Sequence, residues 1–283
     1  MHGRPLALGI AALALAATAR ADAPAAPGLS TLAAHKITSE ALRAVVAKLP
    51  DADQQKIVGV YVAFHADPKA PLALAACDDD GDYVVVVSDA LLGLADAVAR
   101  AEATDDAFGT KKLDEYAALL AKAQRPGERL LTPPAGFYEP SHATPEVLAA
   151  QAKRFRAIAT YLVATEAAHM TAGDLVCPRP TATHERGDDE WTASEQAAAL
   201  SAARAVHDPR RVFTADAHGA ALATRAGEAE DAYAGLLTPV FAAMEASETA
   251  RASAPYLAHH PSSGVRALIV KTAARREKEP KSP

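Results

Sequence analysis

Apolar residues recur at intervals of three and four along most of this chain, and alternate or run together in only two places. The helical spacing marks alanine-rich segments at 31–48, 90–106, 111–124, 145–172, 193–206, 214–250 and 263–276. Two stretches, Ile57 to Phe64 (IVGVYVAF) and Tyr83 to Ser88 (YVVVVS), are instead β-branched and aromatic. The second follows Asp78-Asp79-Asp80-Gly81-Asp82, which reads as a turn before a strand, since it lacks the alternating ligands and distal Glu of a calcium loop. These proportions predict a helix-rich α+β domain with a small sheet. Pro126, Pro133, Pro134 and Pro140 interrupt any periodicity, so a long surface loop or insertion is expected near 125–144.

The two ends read differently from the middle. Met1 to Ala21 has a short basic start (His2, Arg4), an apolar run from Leu6 to Ala19, and small residues at Ala19 and Ala21. That is the pattern of a signal peptide, 1–21, cut after Ala21; a cut after Ala23 would leave Pro24 first. Export to the periplasm or cell exterior follows. Residues 22–29 are then a flexible Ala/Pro leader, 30–276 a single domain, and 277–283 a disordered charged tail. No later segment approaches the roughly 20 apolar residues of a membrane span, so no transmembrane segment is expected.

Losing Arg4 and Arg20 with the leader shifts the formal net charge from −6 to −8. Such a surface repels phosphate backbones, which excludes nucleic acid as a partner, and the only basic cluster, Lys271 to Lys281, is terminal. Cys77 and Cys177 are the only cysteines. An oxidising compartment favours a bond between them over two separately buried thiols.

The candidate chemistry lies in Thr144 to Gly173. Thr144 suits an N-cap, Pro145 the first helical position, and Gly173 followed by Pro178 the stop. Phe155, Ile158, Ala159 and Leu162 form the apolar stripe, which continues onto Glu166 and His169. A carboxylate and an imidazole on a buried face are either a satisfied structural pair or a site. The chain has no G-x-S-x-G elbow, Gly-rich phosphate loop or C-x-x-C. His259-His260 could bind a metal, whereas His142, His184, His207 and His218 are isolated and expected to face solvent.

Val163 to His169, VATEAAH, resembles the HExxH helix of zinc metallopeptidases with Thr165 in place of the first histidine. Ala76 to Leu92 (ACDDDGDYVVVVSDALL) is similar to the strand, turn, strand and Leu-Leu helix start of the HtpX-like gluzincin peptidases, relatives of the prenyl-protein proteases. His260-Pro261-Ser262-Ser263 with Arg266 (HPSSGVRA) looks like that family's C-terminal signature, and the three stretches stand in the family's order. The resemblance implies a zincin-like fold with a small sheet beside the active-site helix, a zinc cofactor where active, and a protein or peptide substrate. It makes Glu166 the general base and His169 a metal ligand.

The family's third ligand is a glutamate four residues before an aspartate on a later helix. Matched to Gly227-Glu228-Ala229-Glu230-Asp231, the aspartate is Asp231, the ligand position holds Gly227, and Glu228 stands one residue out of register as a ligand by default. With Thr165 and Gly227 at two ligand positions, the resemblance implies the fold more than the activity: an exported, divergent homologue with impaired or lost zinc-dependent proteolysis and, in that case, no cofactor. The alternative is a non-enzymatic helical binding or scaffold protein in which Glu166 and His169 are a buried structural pair.

Overall fold

The computed structural model describes residues 28–78, 80–178, 208–254, 256–257 and 260–279. The signal peptide, the helix expected at 193–206, His184, His207 and His259 lie outside the described residues. The chain is α+β, with helices packed on one face of a three-stranded sheet. No helix among the described residues is long and apolar enough to cross a membrane.

The strands are β1 (Tyr61–His65), β2 (Ala73–Cys77) and β3 (Tyr83–Ser88), in the order β1-β3-β2. β3 is central and buried throughout, parallel to β1 and antiparallel to β2. Side chains alternate across the sheet: Val62, Phe64, Ala73, Ala75, Val85 and Val87 enter the main core, while Ala63, Leu74, Ala76, Val84 and Val86 form a second cluster on the other face. β1 begins later than its apolar run because Gly59, at φ 78°, turns the chain first. The Asp-rich stretch is a turn, as expected: the Asp78 carboxylate accepts from Asp82 N at 2.8 Å and from the Tyr61 hydroxyl at 3.0 Å.

Helix α1 (Thr31–Val46) is capped by Ser30, and the six-residue α2 (Asp51–Lys56) follows Pro50. α3 (Asp89–Phe108) starts where β3 ends. The Ser88 hydroxyl accepts from Leu91 N at 3.1 Å and from Leu72 N at 2.9 Å, binding strand end, helix start and sheet edge together. α4 (Lys112–Ala123) leads into the expected loop, which a short 3-10 turn at Pro140–His142 interrupts. α5 (Pro145–Ala172) has the ends its sequence announces: the Thr144 hydroxyl accepts from Val147 N, and Gly173, at φ 78°, closes it with Asp174 N donating to His169 O at 3.0 Å.

α5 differs from a one-faced amphipathic helix. From Ala157 to Met170 every residue is buried, because α1, α3, the sheet and the helix at Pro209–Arg225 surround it. α6 (Pro209–Arg225) approaches most closely at Gly219, where an added Cβ would stand 2.7 Å from Thr165 N. The continuous helix expected over 214–250 is broken. Gly227 adopts φ 93° after α6, and α7 (Asp231–Gly235) is separated from α8 (Ala242–Glu245) by a kink with extended backbone at Thr238. Pro239 supplies no N–H there and bars the preceding residue from the helical region. Short α9 (Glu248–Ala252) precedes α10 (Ser263–Lys278), which outlasts the expected domain end at 276. Leu29, at the end of the expected leader, contacts the folded helices: its N donates to the half-buried Asp96 carboxylate at 3.1 Å.

Candidate functional site

Glu166 and His169 lie one turn apart on α5, 1% and 0% exposed. Ser88 N donates to Leu72 O and Asp78 N to Asp82 O, so alternate residues of β2 face β3, and the N–H of Ala75 points out of the sheet edge. Glu166 Oε2 accepts that N–H at 2.7 Å. The carboxylate thereby satisfies an edge-strand donor that would otherwise be buried without a partner.

His169 Nδ1 is 2.8 Å from Asp174 Oδ2, and because a carboxylate only accepts, Nδ1 carries the proton. Asp174 stands just past the α5 C-cap and also meets Arg211 of α6, whose Nε is 3.5 Å from Oδ1. The same segment is tied to β2 by a disulfide between Cys77 and Cys177, with Cα atoms 5.4 Å apart. The cysteines are therefore bonded, as expected.

A second constellation surrounds Arg266. This fully buried guanidinium donates twice to Asp216 of α6, Nε to Oδ2 and Nη2 to Oδ1, both at 2.8 Å. Nη1 donates to the Tyr256 hydroxyl at 2.8 Å and Nη2 to the Tyr233 hydroxyl at 3.2 Å. Burial raises the pKa of both phenols, so both stay neutral, and Glu166 is among the charges that act on Tyr256. His260 Nδ1 donates to Tyr256 O at 2.7 Å and its ring stacks on the Tyr256 ring, centroids 3.9 Å apart. His260 and Arg266 of the HPSSGVR stretch thus grip one tyrosine from both ends, with half-buried Pro261 between them. Tyr256 N in turn donates to Pro71 O beside β2.

The residues of the GEAED stretch do not join this site. Glu228 accepts from Arg156 Nε at 2.8 Å, ten residues before Glu166 on α5 and so about 15 Å along the helix axis. Gly227 and Asp231 are exposed at the same distant end. Among the described residues no group of three or more His, Cys, Asp and Glu side chains is placed to hold a metal ion. Thr165, 2% exposed under Gly219, supplies a neutral hydroxyl where a zinc site needs an imidazole, so the residues present do not fit zinc.

Asp216 was missed in the sequence, although a signal for it exists. Val212, Asp216, Gly219 and Ala223 follow one helical stripe, and an acid in an otherwise apolar stripe asks for a buried cation. His142 also departs from expectation: it is 5% exposed, accepts from Glu139 N at 3.3 Å and packs on Phe108. His218 is exposed, as expected. An open groove of about 580 Å³ between α1, α2 and the approach to β1 is lined by Leu42, Val46, Ile57 and Val60 and contains none of the candidate site residues. No protein-family model, curated protein or solved structure matches the chain.

Proposed function

We propose that this protein is an exported, divergent relative of the HtpX-like metallopeptidases that has lost zinc-dependent proteolysis and keeps the scaffold. The observation that carries the reading is the Arg266–Asp216 ion pair. It joins the His-Pro signature to α6, the helix that lies against Thr165 of the VATEAAH segment. The strand beside α5, bonded to Glu166, supports it as well.

The pair also changes the register of the resemblance. Counting four residues back from Asp216, instead of from Asp231, the family's third ligand position falls on Val212. That residue is fully buried, and its neighbour Arg211 reaches Asp174, the partner of His169. In this register the three ligand positions hold Thr165, His169 and Val212, of which one can bind zinc. Without a metal, Glu166 cannot bring the pKa of water down towards neutrality, and its carboxylate serves the sheet edge.

Protein purified without chelators and dialysed is expected to hold far less than one zinc per chain. It is expected to leave an unfolded protein substrate uncleaved, with Glu166→Gln indistinguishable from the parent. Stoichiometric zinc together with cleavage that Glu166→Gln abolishes would overturn the reading.

A further inference from the structure

The outward face of α10 carries exposed apolar side chains and cations that form no ion pair among the described residues. Val265 is 46% and Leu268 67% exposed. With Thr272 and Arg275 they follow one stripe at i, i+3, i+7 and i+10, flanked by exposed Lys271 and Arg276, with Glu279 at its far end. The other charges of this helix are engaged: Glu277 with Arg225 at 3.3 Å and Lys278 with Glu230 at 2.5 Å. Lys271, Arg275 and Arg276 have no ion pair among the described residues. Glu277 and Glu230 are thus paired at the sides of the helix, while its three outer cations hold no ion pair.

On a chain of net charge −6 this is a local reversal of sign. Complementing the helix dipole accounts for the cations in the last turn, and the Glu230 carboxylate attracts Lys271, but neither accounts for the exposed leucine beside them. Apolar residues at one end of a helix face and unpaired Lys and Arg at the other match the boundary between acyl chains and anionic headgroups.

We propose that this face of α10 docks peripherally on the anionic phospholipid surface of a bilayer. Val265 and Leu268 enter the interface and Lys271, Arg275 and Arg276 contact headgroup phosphates. The acidic remainder of the surface is repelled, which orients the molecule with α10 towards the lipid.

The purified chain is sedimented with vesicles of phosphatidylcholine containing phosphatidylglycerol, and with vesicles of phosphatidylcholine alone. Binding is expected to be at least about tenfold tighter to the anionic vesicles and to disappear at high salt. Combined Lys271→Glu, Arg275→Glu and Arg276→Glu should reduce it to the neutral-vesicle level. Leu268→Ser should weaken it several-fold while leaving the salt dependence in place. All four positions are exposed, so circular dichroism and the thermal midpoint should stay at parental values. Equal binding to both vesicle types, undiminished binding by the folded triple variant, or no binding to anionic vesicles at low salt would each overturn the proposal. The last of these results would leave an acidic protein as the partner to seek.

Discussion

Arg266 shows how one buried charge organises its surroundings. Its guanidinium spends two donors on Asp216 and others on Tyr233 and Tyr256, so the cost of desolvation is met by four directed bonds. Asp216→Ala removes the counter-charge and leaves the cation stranded, which should cost about 3–5 kcal/mol in urea unfolding. Adding Arg266→Met should recover part of that loss, since an apolar side chain of similar length needs no counter-ion. A loss under about 0.5 kcal/mol for Asp216→Ala would mean that the pair is not desolvated in solution. Glu102 is a second residue with a readable electrostatic burden. Burial pushes its carboxyl up from 4.5 to about 8, Arg154 opposes the shift, and Asp106, Asp231 and Asp105 add to it. The folded chain therefore holds a proton that the unfolded chain has released. Stability should fall as pH rises from about 4.5 to about 8 and level off above, and Glu102→Gln should flatten that slope in urea midpoints taken across the range. An unchanged slope in the variant would assign the pH dependence to other groups.

Whole elements were legible where their ends carry chemistry. α5 matches its sequence reading from Pro145 to Ala172 because Thr144, Pro145 and Gly173 punctuate it unambiguously. β2 (ALAAC) is not legible from its residue pattern, though the resemblance implies a strand ending near Cys77: alanine has little strand preference, and both faces of the strand are buried, so no alternation appears. α2 (DADQQK) buries none of its residues and hence leaves no stripe to find. The break between α6 and α7 is not visible in the sequence because apolar periodicity resumes after Gly227. Close approach of α5 and α6 rests on the absence of a side chain at Gly219. Gly219→Ala should force the helices apart against Thr165 and cost about 1–3 kcal/mol, read as a lower thermal midpoint with unchanged circular dichroism. A neutral result would show that α6 can slide away from α5 freely.

At the scale of the molecule, three distant parts of the chain are joined around α5: β2 bonds Glu166 through Ala75, α6 packs on Thr165 at Gly219, and the HPSSGVR stretch is held to α6 by Arg266 and Asp216. If that assembly is a zincin scaffold emptied of its ligands, putting the ligands back should refill it. Thr165→His restores the i, i+4 histidine pair with His169, and Val212→Glu restores a carboxylate four residues before Asp216, giving two nitrogens and one oxygen around an open position. The double variant should bind one zinc per chain in calorimetry, and zinc should raise its thermal midpoint because only the folded state collects the three ligands. The pair Thr165→His with Gly227→Glu discriminates between registers. Glu228 is held by Arg156, whose Cα lies about 15 Å along α5 from that of Glu166, so that variant should stay without tight zinc. Zinc in the second variant and not in the first would return the third ligand to the Asp231 register. If both variants fold and neither gains the metal, α5 and α6 do not converge as a zincin's helices must, and a helical scaffold protein with Glu166 as the cap of its sheet edge becomes the better account.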